Sequence, residues 1–176
     1  MKYEILWDEA QQVADKKLYR IRALRDIPQR GVKAGDLGGY VEGEHNLDQN
    51  DDSWVSGDAR VYGNAQVYDD AQVYDDAQVY DDACVYGNAR VSGNAWVSGN
   101  ARVYGNAQVS GDAWVYDDAQ VYDDAQVYDD SWVSGNAWVS GNARVSGNAR
   151  VYGNAQVSGD AWVYDDARLK EAQFNL

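Results

Sequence analysis

The sequence predicts an all-β fold: a single-stranded parallel β-helix of hexapeptide repeats in triangular 18-residue coils, with a small N-terminal β cap. Three observations carry that reading. From Val55 to Arg168 the chain is 19 consecutive six-residue units without insertion or deletion. Within each unit, small and apolar residues alternate with polar or aromatic ones, and two turn-favouring residues follow. Bulky outward residues recur every 18 positions, so three units close one coil.

Residues 1–54 stand outside the repeat. Lys2–Trp7 and Lys17–Leu24 have strand composition and read as a hairpin joined through Asp8–Asp15. Arg30-Gly31 and Gly38-Gly39 mark turns. Val41 and Leu47 already sit six apart, so one imperfect unit precedes the array. A short insertion around Asp48–Trp54 then resets the phase. This leader is expected to cap the rod, because the end of an open coil presents unpaired strand edges.

The repeat occupies 55–168. In Ala65-Gln66-Val67-Tyr68 the Ala and Val point inward while Gln66 and Tyr68 point out. Asp69-Asp70 follows, replaced in other units by Gly-Asn or Gly-Asp, residues that tolerate left-handed backbone angles and turn a corner. The small residue is Ala everywhere except Ser131. A period of six does not fit 3.6 residues per turn, which excludes a helix. With Val and Ala alone inside, each side is shallow, and coils must stack to bury it. Residues 169–176 place Leu169, Phe174 and Leu176 over the last coil, as a cap or as a seam for end-to-end dimerisation.

Counting by 18 aligns Trp96, Trp114 and Trp132 on one side and Tyr68, Tyr86, Tyr104 and Tyr122 on another. It also aligns Asp75-Asp76 with Asp129-Asp130 and Asp165-Asp166 on one corner. A near-uniform repeat gives alignments at every multiple of six; the tryptophan triplet favours eighteen. Aromatic ladders at strand spacing are favourable.

Units such as Val91–Trp96 (VSGNAW), Val85–Arg90 (VYGNAR) and Val61–Gln66 (VYGNAQ) resemble the hexapeptide repeat of left-handed parallel β-helix acyltransferases. In those proteins an aliphatic residue is followed four positions later by a small one. The units are also similar to the Ala-x-Val-x-Gly-Asn proteins of bacteria and their phages, the YdcK-like group. Lys17–Val41 resembles the leader of that group. The resemblance implies left-handed coils and is specific for fold but weak for function.

The chemistry available is sparse. The acyltransferases that the repeat resembles depend on a catalytic histidine and a loop interrupting the coils, and the related carbonic anhydrases need three histidines for zinc. Here the repeat contains no histidine and no interruption, and the single His45 lies in the leader beside Glu44 as a solvated turn residue. Cys84, the one cysteine, stands at an outward position without a histidine partner. No catalytic residue, cofactor or metal site is expected, and a non-enzymatic chain is the expectation. The N-terminus MKYEILWDEAQQ has no long apolar run, which reads as a cytoplasmic protein with no membrane partner, in a host cell where a phage encodes it.

Charge is the feature left over. The chain carries 29 acidic and 15 basic side chains, a net of −14. The repeat alone holds 17 Asp and six Arg, a net of −11. Such a balance argues against direct nucleic-acid binding, since phosphate contacts need Lys and Arg. The Asp-Asp corners cluster as Asp69, Asp70, Asp75, Asp76, Asp81 and Asp82, then Asp117, Asp118, Asp123, Asp124, Asp129 and Asp130, each set a ring of six carboxylates around one coil. With Trp96, Trp114 and Trp132 as apolar anchors, these belts are the candidate partner-binding surface. The expected partner is a basic DNA-binding protein, engaged by mimicry of duplex DNA; an inhibitor of a host defence nuclease or a CRISPR complex fits that role. The alternatives are a structural rod whose charge serves solubility, as a monomer or end-to-end homodimer, and, third, an acyltransferase-like enzyme.

Overall fold

A computed structural model describes residues 1–171 and the backbone of 173–175. It is a parallel β-solenoid of about seven coils entered through N-terminal strands. β1 (Tyr3–Val13) and β2 (Lys16–Ala23) form an antiparallel hairpin, and β3 (Leu37–Val41) pairs antiparallel with β2. β3 also pairs parallel with Arg60–Val61, so the leader prolongs one face of the solenoid.

The first face runs through Arg60–Val61, Gln78–Val79, Trp96–Val97, Trp114–Val115, Trp132–Val133, Arg150–Val151 and Arg168–Leu169. The second runs from Gln66–Val67 to Gln156–Ser158 and on to Gln173–Asn175, and the third from Trp54–Val55 to Trp162–Val163. Partners within each rod face from Val55 to Val163 are 18 residues apart, as Val97↔Val115 and Val115↔Val133 show. The ladder is repetitive down to single bonds. Trp96 N–H donates to Ala113 O (2.9 Å), Ser98 N–H to Val115 O (3.0 Å) and Asn100 N–H to Asp117 O (2.7 Å). Neighbouring units repeat that pattern, which satisfies backbone groups that lie beside a dry core.

The core is a column of Val and Ala. The inward valines from Val55 to Val163 are at most 4% exposed. Ser131, the one exception at the small position, is also buried; its hydroxyl donates to Tyr128 O (2.7 Å), so the polar substitution leaves no orphan. Corners turn on left-handed residues: the corner glycines have φ of 64–70° and the first Asp of each Asp-Asp pair 57–61°.

Two expectations for the leader are corrected. Asp8–Asp15 is not a connecting loop: β1 continues to Val13, and only Ala14 and Asp15 make the turn. Pairing jumps from Leu6↔Arg20 to Ala10↔Tyr19, so Trp7–Glu9 bulge out and the strand then resumes. Trp7 rests edge-on against Tyr19 (4.8 Å). Gly38-Gly39 is not a turn either but the buried middle of β3. A Cβ on Gly38 would lie 2.5 Å from Ile21 Cγ1, and one on Gly39 would lie 2.6 Å from Ala59 O. These glycines permit close packing of strand on coil. The left-handed turn glycines here are Gly31 and Gly35.

The imperfect first coil is present. Val41 pairs with Val61, Leu47 bridges to Val67, and Val55 pairs with Val73, all three buried. Tyr3, Ile5, Ile21 and Ile27 join the same core, so the leader plugs the solenoid end with larger side chains than the rod uses. At the other end Leu169 is half-buried over the last coil; the side chain of Phe174 and all of Leu176 lie outside the described residues.

Candidate functional site

The aromatic columns form as the 18-residue count predicts. Trp96, Trp114 and Trp132 stack at 4.7 and 5.2 Å, and Arg150 continues the column with its guanidinium 4.4 Å over the Trp132 ring. Tyr68, Tyr86, Tyr104 and Tyr122 stack on the second face at 4.9, 4.9 and 5.0 Å. Burial raises the pKa values of Tyr68, Tyr86 and Tyr104 in this column and of Tyr62 beside the first face; Tyr62 and Tyr68 reach about 12.

Asp69 to Asp82 encircle one coil and Asp117 to Asp130 encircle another, because successive corners lie on successive edges of the same turn. Of these twelve residues all are exposed except Asp70, which Arg30 covers in part. The tryptophans lie on the first face, whereas each belt spreads over three corners, so no single side of the rod gathers all fifteen candidates.

The carboxylates carry a structural duty that the sequence reading missed. The first Asp of each pair points along the rod axis and accepts a hydrogen bond from the corner glycine N–H one coil later. Gly87 N–H binds Asp69, Gly93 binds Asp75, Gly99 binds Asp81, Gly135 binds Asp117, Gly141 binds Asp123 and Gly147 binds Asp129, all at 3.1–3.3 Å. The second position is tied the other way: Asn64, Asn100 and Asn106 donate to Asp82, Asp118 and Asp124 at 2.9–3.0 Å. The signal was legible in the sequence. Inside the repeat no Asp-Asp pair is followed by another 18 residues later.

Among the described residues, the one Asp-Asp pair stacked on another Asp-Asp pair belongs to the leader. Asp51-Asp52 lies against Asp69-Asp70, with Asp52 N–H donating to Asp69 O. Three cations converge there. Lys2 reaches Asp51 (2.8 Å), Arg25 reaches Asp52 (3.0 Å) and Arg30 reaches Asp70 (3.1 Å). Lys2 is fully buried, with its ammonium also on Ser53 O (2.7 Å); desolvation lowers its pKa against the opposing pull of Asp51.

His45 Nε2 lies 2.8 Å from Gly63 O, which assigns that nitrogen as the proton-bearing one. Cys84 is partly buried, and desolvation pushes its thiol up, away from the reactive thiolate. Among the described residues, no three His, Cys, Asp or Glu are grouped to hold a metal ion, and no helix is long and apolar enough to cross a membrane.

The YdcK beta solenoid repeat matches the chain at residues 55–69, 65–81, 83–99, 95–111, 107–123, 119–135, 137–153 and 143–159. The chain belongs to the YdcK beta solenoid repeat family. The matched segments are the coils whose ladders are described above, so the YdcK solenoid repeat is the Val-Ala rod itself. No curated protein matches the chain.

Proposed function

We propose that this YdcK solenoid is a non-enzymatic interaction rod whose acidic belts engage a basic DNA-binding protein in place of duplex DNA. The observation that supports the reading is the distribution of ion pairs. All six among the described residues draw their cation from Lys2, Lys16, Arg20, Arg22, Arg25 or Arg30 of the leader. No rod arginine pairs with a rod aspartate among them, so most of the rod's charge faces solvent uncompensated. About seven coils at roughly 4.8 Å make a rod on the order of 30 Å long. A net −11 over it is about one charge per 3 Å, against one per about 1.7 Å in duplex DNA. Held on a hydrogen-bonded scaffold, such charges need little ordering on binding. A phage- or mobile-element-encoded inhibitor of a host nuclease or CRISPR complex is the setting this reading fits.

A structural rod is the second reading, favoured by the bonds from the first Asp of each pair to the next coil. The repeat itself supplies the variant that separates the two. Replacing Asp117-Asp118, Asp123-Asp124 and Asp129-Asp130 by Gly-Asn removes six charges while installing a corner that already occurs nine times. Under mimicry the parent protein retains DNA-binding proteins from bacterial lysate in a salt-sensitive, duplex-displaceable way, and the variant loses them with its melting curve unchanged. Equal retention by both proteins, or none by the parent, overturns mimicry and leaves the structural rod.

A further inference from the structure

The outward column that follows the first face reads Tyr62, Tyr80, Ser98, Tyr116, Ser134, Tyr152. Tyr62 and Tyr80, one rung apart, stack at 5.1 Å. Tyr116 and Tyr152 are two rungs apart, with only a buried serine between them, which leaves about 10 Å between rungs. That is the interval one further stacked ring would fill. A cavity of about 320 Å³ opens there, lined by Tyr116, Trp132, Ser134, Arg150, Tyr152 and Arg168.

Two features distinguish this gap from the one over Ser98. Beside Ser98 the column is apolar, with Trp96 and Trp114 stacked at 4.7 Å. Beside Ser134 the tryptophan ladder ends, and Arg150 and Arg168 follow on consecutive rungs. Neither arginine makes an ion pair among the described residues, although the rod around them is strongly acidic. Two adjacent guanidiniums repel each other unless an anion lies between them. Trp132, edge-on to Tyr116 at 6.4 Å, forms the side wall.

We propose that the slot over Ser134 binds a planar aromatic anion of mononucleotide size, its ring between Tyr116 and Tyr152 and its phosphate or carboxylate on Arg150 and Arg168. Ring stacking supplies affinity without base specificity, and the guanidinium pair supplies orientation. A longer polyanion would meet the acidic corners Asp117-Asp118 and Asp165-Asp166 beside the slot, which restricts the ligand to a single small anion. No belt carboxylate lines the slot, so ligand binding stands or falls separately from DNA mimicry.

Calorimetric titration of the full chain with adenosine monophosphate, indole-3-acetate and inorganic phosphate tests this. At least one ring-bearing anion is expected to bind at one site per chain, and which of the two binds more tightly identifies a nucleotide or an aromatic carboxylate as the ligand. Ser134→Tyr completes the tyrosine column and recreates the Trp114-Val115-Tyr116 unit one rung later; it should lower affinity by about tenfold or more. Ser98→Tyr should leave affinity within about twofold, because it fills the gap without cations. Should Ser134→Tyr fail to fold, Tyr152→Ser removes one wall instead and should weaken binding comparably. The proposal is overturned if neither ring anion binds at millimolar concentration, if phosphate binds as tightly as adenosine monophosphate, or if filling the slot leaves affinity unchanged.

Discussion

In residues 1–54, side chains hold the structure across long stretches of chain: Lys2 to Asp51 and Ser53, Tyr3 hydroxyl to Leu47 O, Asn46 to Ala65 O, Arg30 to Asp70. In residues 55–168, backbone ladders, stacked rings and an unvarying Val-Ala column do the same work, with hardly a side chain unique to one coil. Slipping the rod by three units would exchange valine for valine and lose almost nothing inside. Slipping the leader would bury Lys2 without its partners and drive Gly38 and Gly39 against the wrong neighbours. Register is therefore written in the irregular end and transmitted along the regular one.

The largest test of that contrast is removal of residues 1–54. The truncated rod should lose its cooperative thermal transition and associate through its open edges, seen by circular dichroism and size-exclusion chromatography. A sharp melt within a few degrees of the full chain would show that the repeat sets its own register. Next comes Lys2→Met, which removes the ion-pair partner of the Asp51 carboxylate and leaves the acidic corner to Arg25 and Arg30. About 2 kcal/mol of destabilisation is expected in urea unfolding, less than for a fully buried pair because Asp51 is 20% exposed. A single rod position should matter less. Asp117→Ala combines a left-handed angle with loss of the Gly135 bond and should cost roughly 1–2 kcal/mol, whereas Asp117→Gly, which relieves the angle, should stay within about 0.5 kcal/mol of the parent.

The smallest effect expected is the response to alkaline pH. Tyr62 and Tyr68 have folded pKa values near 12 against an ordinary 10, so the unfolded chain releases their protons first. Their contribution is intact below pH 10 and is lost as pH rises toward 12, with the melting temperature falling by a few degrees. Lys2 acts in the opposite sense: its lowered pKa makes the unfolded chain hold the extra proton just below pH 10.5, so its contribution improves as pH rises through that window. Replacing Tyr62 and Tyr68 by Phe should reduce the alkaline loss and leave the part that Tyr3, Tyr86 and Tyr104, also raised by burial, contribute, whereas Lys2→Met should not reduce it.

The candidate site was legible to the extent that its pattern is periodic. Trp96, Trp114 and Trp132 came together because 18-residue spacing is a sequence property once the coil size is known. The serine at 134 between two tyrosines could have been found by the same count. What hid it is that a missing ring becomes a slot only when the columns beside it are in place, here Trp132 below and two arginines above. Gly38-Gly39 read as a turn because a glycine pair looks alike whether it bends the chain or lets another strand approach.

The sequence by itself determined the coil: alternation of small and large residues, one left-handed position every six, and three sides per turn all follow from local sterics and burial. Only the tertiary structure decided what the acidic residues do. An aspartate in a left-handed corner sends its carboxylate along the rod axis, and whether it meets an N–H, an amide or another carboxylate depends on the residue 18 positions away in the next coil. Stacking thus ties nine of the twelve belt carboxylates to the neighbouring coil by hydrogen bonds, while all of the belt except Asp70 stays exposed to solvent.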